Sequence, residues 1–93
     1  MIGQPDPGPD DRAVTALLVV DVQQDFCPGG ALAIPAGDRI VPVLNQILRA
    51  AHTRRLAVYA TRDWHDHASS HFLAGGGPWP VHCVADSPGA RFH

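Results

Sequence analysis

Val14-Thr15-Ala16-Leu17-Leu18-Val19-Val20, closed by Asp21, is the stretch on which the fold turns. It is short, uncharged and rich in β-branched side chains. Such a run reads as a strand buried on both faces, as in a parallel sheet, because a strand with one wet face would alternate apolar and polar residues. Downstream, Ile40, Val43, Leu44, Ile47, Leu48 and Ala51 recur at helical spacing. They form one apolar face of about four turns. Asp38 reads as the N-cap of that helix, Pro42 falls in its first turn, and Arg49, Arg54 and Arg55 near its end suit the dipole. Leu56-Ala57-Val58-Tyr59-Ala60-Thr61, ended by Asp63, is a second strand. Strand, helix, strand predicts a βαβ unit with parallel strands.

Outward from that unit the chain is turn-rich. Cys27-Pro28-Gly29-Gly30 marks a turn after the first strand. Residues 64–93 carry no convincing regular element and are punctuated by Gly75-Gly76-Gly77-Pro78 and Ser87-Pro88-Gly89. A segment of that length without helix or strand is expected to be functional or else to be missing its structural context. Residues 1–12 are acidic and Pro-rich and read as a disordered tail, leaving 13–93 as the folded part. One helix and two parallel strands cannot cover both faces of a sheet. The element count therefore predicts the first part of a larger α/β domain, poorly soluble by itself.

Composition narrows the function. Nine Gly and nine Pro stand in 93 residues, where average usage gives about eleven together. The formal charge of −2 offers no basic field for phosphate backbones, so no nucleic-acid partner is expected. The longest purely apolar run, Ala16 to Val20, is far short of a membrane span, and the acidic N-terminus is no secretory signal. Two cysteines, Cys27 and Cys83, are too few for a disulfide framework, so a reducing cytoplasm is expected. There is no Lys and no Glu: all seven cations are Arg and all nine acids are Asp.

The chemistry gathers at strand ends. Asp21 and Asp63 each follow a strand at the edge where open parallel sheets bind ligands, although Asp also simply ends strands. Asp63-Trp64-His65 puts a carboxylate and an imidazole at i and i+2, on one side of an extended segment. Four of six histidines fall between 65 and 82, and His82 in Trp79-Pro80-Val81-His82-Cys83-Val84 could close a set. A carboxylate with two or three imidazoles suits Zn2+, Fe2+ or Mn2+. Phe26 and Trp79 lie beside the expected crevice, either as a sandwich for a planar heterocycle or as ordinary packing. Cys27 and Cys83 have no helix start or cation beside them and read as buried fillers.

Taken together, these motifs resemble the nicotinamidase/pyrazinamidase branch of the isochorismatase-like cysteine hydrolases. Asp21-Val22-Gln23-Gln24-Asp25-Phe26-Cys27-Pro28-Gly29-Gly30-Ala31-Leu32 matches the opening motif, with Gln24 where Asn is usual. Asp63-Trp64-His65, Trp79 to Val84, Ser87-Pro88-Gly89-Ala90 and Phe92-His93 follow in order. The resemblance implies a truncated isochorismatase-like, Rossmann-like three-layer α/β fold. It also implies hydrolysis of nicotinamide, or a similar heteroaromatic amide, to the acid and ammonia through a cysteine thioester, a step of pyridine nucleotide salvage. By that resemblance Asp21 is the general base, Asp63, His65, His71 and His82 hold the metal on the pyridine nitrogen, and Phe26 and Trp79 clamp the ring. Relatives vary in the placement of the third histidine, and His67 is the alternative to His71. The family's catalytic Lys and nucleophilic Cys come after the Phe-His segment at which this sequence ends, so the 93-residue chain is expected to be inactive by itself. A non-catalytic metal- or nicotinamide-binding remnant and another amidohydrolase of the same fold are the competing readings. Homo-oligomerisation of the full-length protein stays open.

Overall fold

The computed structural model describes residues 15–93; the tail expected over 1–12 lies outside the described residues. Strand β1 (Ala16–Val20), helix α1 (Ile40–Thr53) and strand β2 (Ala57–Thr61) follow in order. The strands pair in parallel, Ala16 opposite Ala57 through Val20 opposite Thr61. Parallel neighbours need a long crossover, and α1 supplies it.

The pleat divides the sheet into two unlike faces. Val19, Val58 and Ala60 share a cavity with Val41, Leu44 and Leu48, which places them on the helix side. Leu18, Val20 and Tyr59 alternate with them along the strands and are 59%, 60% and 61% exposed, Leu18 and Val20 lining an open groove beside Ile40, Val43 and Ile47. The expectation that β1 is buried on both faces is therefore corrected. A single helix covers a single face, and only Val19 of β1 is buried.

Two details of α1 follow from its ends. Asp38 is not its N-cap. It sits inside a 3-10 turn, Gly37–Arg39, tied by Arg39 N–H donating to Ala36 O at 3.0 Å, and the helix begins at Ile40 with no side-chain cap. That turn runs straight into the helix, so the backbone is already wound where a capping side chain would act. Pro42 then occupies the third helical position, whose N–H lacks an intrahelical partner in any helix. At the other end Arg55 takes φ +56°, with its N–H on His52 O and Leu56 N–H on Ala51 O at 2.9 Å. This is the left-handed stop usually given to Gly. Along the apolar stripe Ala51 is buried and Leu44 and Leu48 are half-buried, while Ile40, Val43 and Ile47 stay exposed.

The deepest burial lies elsewhere. Gln23, Phe72, Cys83, Ala90 and His82 are the least exposed side chains beyond Ala51, and all stand in loops past the carboxyl ends of the strands. The long final segment has only two short 3-10 turns, Leu73–Gly75 and Pro88–Ala90. Isolated bridges stitch it: Gln23 with Phe92, His65 with Val84, and Phe72 with Trp79. Among the described residues no helix is long and apolar enough to cross a membrane.

Candidate metal centre

Asp63 follows β2 directly, and His65 pairs with the returning chain: its N–H donates to Cys83 O at 2.9 Å, and Ala85 N–H donates to His65 O at 2.7 Å. That pairing puts His65 beside His82, from a loop nineteen positions after Asp63. One ligand atom each from Asp63, His65 and His82 lies within 4.8 Å of the others. His65 Nε2 is 2.8 Å from Asp63 Oδ1, and His82 Nε2 is 3.1 Å from Asp63 Oδ2.

The hydrogen bonds around the triad reveal what it is built for. His82 Nδ1 is 2.7 Å from Pro80 O. A carbonyl only accepts, so the network assigns the ring proton to Nδ1 and leaves the Nε2 lone pair facing a carboxylate. Two acceptors held 3.1 Å apart repel unless a proton or a cation bridges them. A histidine whose far nitrogen is locked to a backbone carbonyl is the usual arrangement of a metal ligand. One carboxylate and two imidazoles suit a divalent cation of borderline softness. Buried Phe72 packs edge-on against both imidazoles, its ring 5.3 Å from that of His65 and 5.5 Å from that of His82.

The other expected residues fall into place around this triad. His71, Phe26, Trp79 and Leu32 join the three in lining a cavity of about 310 Å³. The His71 ring is 5.2 Å from that of His65, but its nitrogens are not part of the close donor group. His67 turns to Asp66 at 3.5 Å and is 84% exposed. Phe26 and Trp79 stand 5.9 and 6.5 Å from the His82 ring. Asp21 lines a neighbouring cavity, also of about 310 Å³, for which Phe26 is a shared wall. Its Oδ1 accepts the Thr61 hydroxyl at 2.7 Å, and its backbone sits at φ +54°. Asp21 and the triad thus line two cavities that share Phe26 as a wall.

Both cysteines are buried. The Cys83 thiol is pushed up to about 12, first by desolvation and then by the charges of Asp63, Asp25 and Asp21. Burial withdraws both sulfurs from solvent, and the raised pKa further lowers the thiolate fraction of Cys83. Iodoacetamide should leave both thiols of the native chain unlabelled while the denatured chain takes up two equivalents, read by mass spectrometry. Rapid labelling of the native chain would contradict the burial.

Three residues essential to this geometry escape sequence reasoning. Phe72 is one; Gln23 and Asp25 are the others. Gln23 Oε1 accepts Asp63 N–H at 2.8 Å, and Asp25 Oδ2 accepts Cys83 N–H at 2.7 Å. Gln23 and Asp25 alternate with Asp21 at every second position of the segment leaving β1 and fall inside the opening motif, but neither signal assigns them a role.

The chain is similar in sequence and in fold to known proteins. The sequence profile of the isochorismatase domain matches residues 15–93. A nicotinamidase of Escherichia coli (strain K12) is 43% identical over 93 aligned positions, covering 84% of this chain and 44% of the relative. The crystal structure of the Pyrococcus horikoshii pyrazinamidase in complex with zinc superposes with TM-score 0.82 at 50% identity, covering 84% of this chain and 44% of that one. PnC1 from L. infantum in complex with nicotinate gives TM-score 0.72 at 36% identity, covering 88% and 41%. The chain spans less than half the length of the relatives it matches. With the profile covering every described residue, and the fold shared with these structures, the chain belongs to the isochorismatase domain family.

Proposed function

We propose that this chain carries the metal and ring-docking half of a nicotinamidase-type amide hydrolase, which converts nicotinamide and water to nicotinate and ammonia. The observation that carries the reading is the convergence of Asp63, His65 and His82 on one point of a cavity walled by Phe26 and Trp79. Relatives named nicotinamidase and pyrazinamidase, one solved with zinc and another with nicotinate, support it. Asp63, His65 and His82 would hold the cation, with His71 poised as a further donor. Zn2+, Fe2+ and Mn2+ all fit a carboxylate–imidazole set, and the zinc complex of the P. horikoshii protein favours the first. When bound, such a cation offers a Lewis-acid docking point to a pyridine ring nitrogen.

The remaining roles belong to the chain's own side chains. Phe26 and Trp79 flank the ring and exclude water from its faces. In the complete enzyme Asp21 would take the proton of the attacking thiol at the carboxylate oxygen not engaged by Thr61 and pass it to the departing ammonia. A thiol must supply the attacking sulfur, and neither Cys27 nor Cys83 is accessible. By itself the chain therefore binds metal and ring without turnover, in a reducing, cytoplasmic setting that suits free thiols and pyridine nucleotide salvage.

Cobalt substitution tests this. Nicotinamide should shift the visible absorption of the Co2+-loaded chain, benzamide should not, and neither should release ammonia. The two amides differ only in the ring nitrogen. An equal response to both would remove the ring-docking role, and cysteine-dependent ammonia release would remove the claim of inactivity.

A further inference from the structure

Gln23 is 0% exposed and polar, and it is no member of the donor cluster. Its Nε2 donates to Asp63 O at 2.9 Å and to Ala90 O at 2.8 Å, while its Oε1 accepts Asp63 N–H at 2.8 Å. A flipped amide would set its oxygen against two carbonyls, so the orientation is unique. The N–H and C=O of Asp63 flank its Cα on either side. Holding both fixes the direction of the Cα–Cβ bond, and with it the aim of the carboxylate whose two oxygens reach His65 and His82. No helix or strand holds Asp63 otherwise, since β2 has ended at Thr61. The third bond of Gln23 ties the same point to the Pro88–Ala90 turn.

The geometry points to Gln23 as the positioning residue of the metal centre, an amide latch that sets the Asp63 carboxylate before a cation arrives. It rests on the metal-centre reading above. Asp25, two residues on, does the same for the other loop by accepting Cys83 N–H next to His82. The segment that leaves β1 therefore carries Asp21 and also sets both loops bearing the metal donors. Asp21 and the cation are fixed relative to each other through five consecutive residues.

The test is Zn2+ affinity of the full chain by chelator competition, with Co2+ absorption as the check on geometry. Gln23→Met keeps the length and loses every hydrogen bond. Its Kd should rise roughly ten- to hundredfold, the range found when a group orienting a ligand is lost, whereas Cys27→Ala should stay within about twofold. Cys27→Ala removes buried volume from the same segment, so it reports general destabilisation alone. Zn2+ binding by the parent chain that is abolished in His82→Ala and unchanged in Gln23→Met would overturn the latch and leave the metal centre standing. Absence of binding in the parent chain would overturn both. Should Gln23→Met fail to fold, hydrogen exchange of the parent chain decides. The Asp63 amide should exchange slowly and slow further with Zn2+; exchange at the rate of a free loop would refute the latch.

Discussion

His82→Ala is expected to strip the chain of tightly bound divalent metal. The imidazole is buried, its Nδ1 is locked to Pro80 O, and its Nε2 has only Asp63 and the cation position to face. A three-donor set that loses one member loses a comparable share of its binding free energy. For a protein zinc site that share is about 3 kcal/mol, or roughly a hundred- to a thousandfold in Kd. His65→Ala should behave alike. His67→Ala should change nothing, because that ring points to Asp66. His71→Ala should fall between, since its ring borders His65 without joining the close group. Metal content after dialysis, together with competition titration, reads all four. Full retention of metal by both His65→Ala and His82→Ala would leave the cavity with no cation role.

A second substitution should act on the whole structure. Gly89 has no unusual φ, but a Cβ there would overlap the carboxylate of Asp25. That carboxylate cannot simply swing away. Oδ1 accepts Ala31 N–H at 3.1 Å and Oδ2 accepts Cys83 N–H at 2.7 Å. Hydrogen bonds to a charged group contribute about 1.5–3 kcal/mol each, so Gly89→Ala should cost about 2–4 kcal/mol. In a domain of this size that is a fall in Tm of about 10–25 °C. Chemical denaturation and a double-mutant cycle check it. In an Asp25→Ala background the added methyl meets no carboxylate, and its further cost should drop below about 0.5 kcal/mol. An undiminished cost in that background would show that the clash lies elsewhere.

How far the sequence reached depended on the range of the interactions. β1 and β2 were legible because apolar runs between polar stops leave few alternatives, and both strands fall inside the stretches read for them. The helix was legible from its spacing, but its start was not. Asp38 has the composition of a cap, and only the 3-10 geometry of Gly37–Arg39 shows that the backbone is already wound there. Asp63 and His65 could be paired by local geometry. His82 could be suspected, but what brings it to Asp63 is a bridge between His65 and Val84 that no local pattern encodes. Gln23 and Asp25 were invisible for the same reason. Ala31 aside, their partners lie 40, 58 and 67 positions away, and a polar residue after a strand looks like any loop residue. That Phe26 lines both the Asp21 cavity and the metal cavity is likewise a matter of packing.

The burial pattern has a practical corollary. The regular elements hold much of their apolar surface in water, whereas Gln23, Phe72, His82, Cys83 and Ala90 form a dry knot of irregular backbone. Local opening is easiest where few apolar groups are buried, so α1 and the strand edges loosen before that knot does. Far-ultraviolet dichroism, dominated by α1, then monitors the scaffold's fraying rather than the state of the working part. Tryptophan emission is the better gauge, because Trp79 lines the metal cavity with its ring 6.5 Å from that of His82.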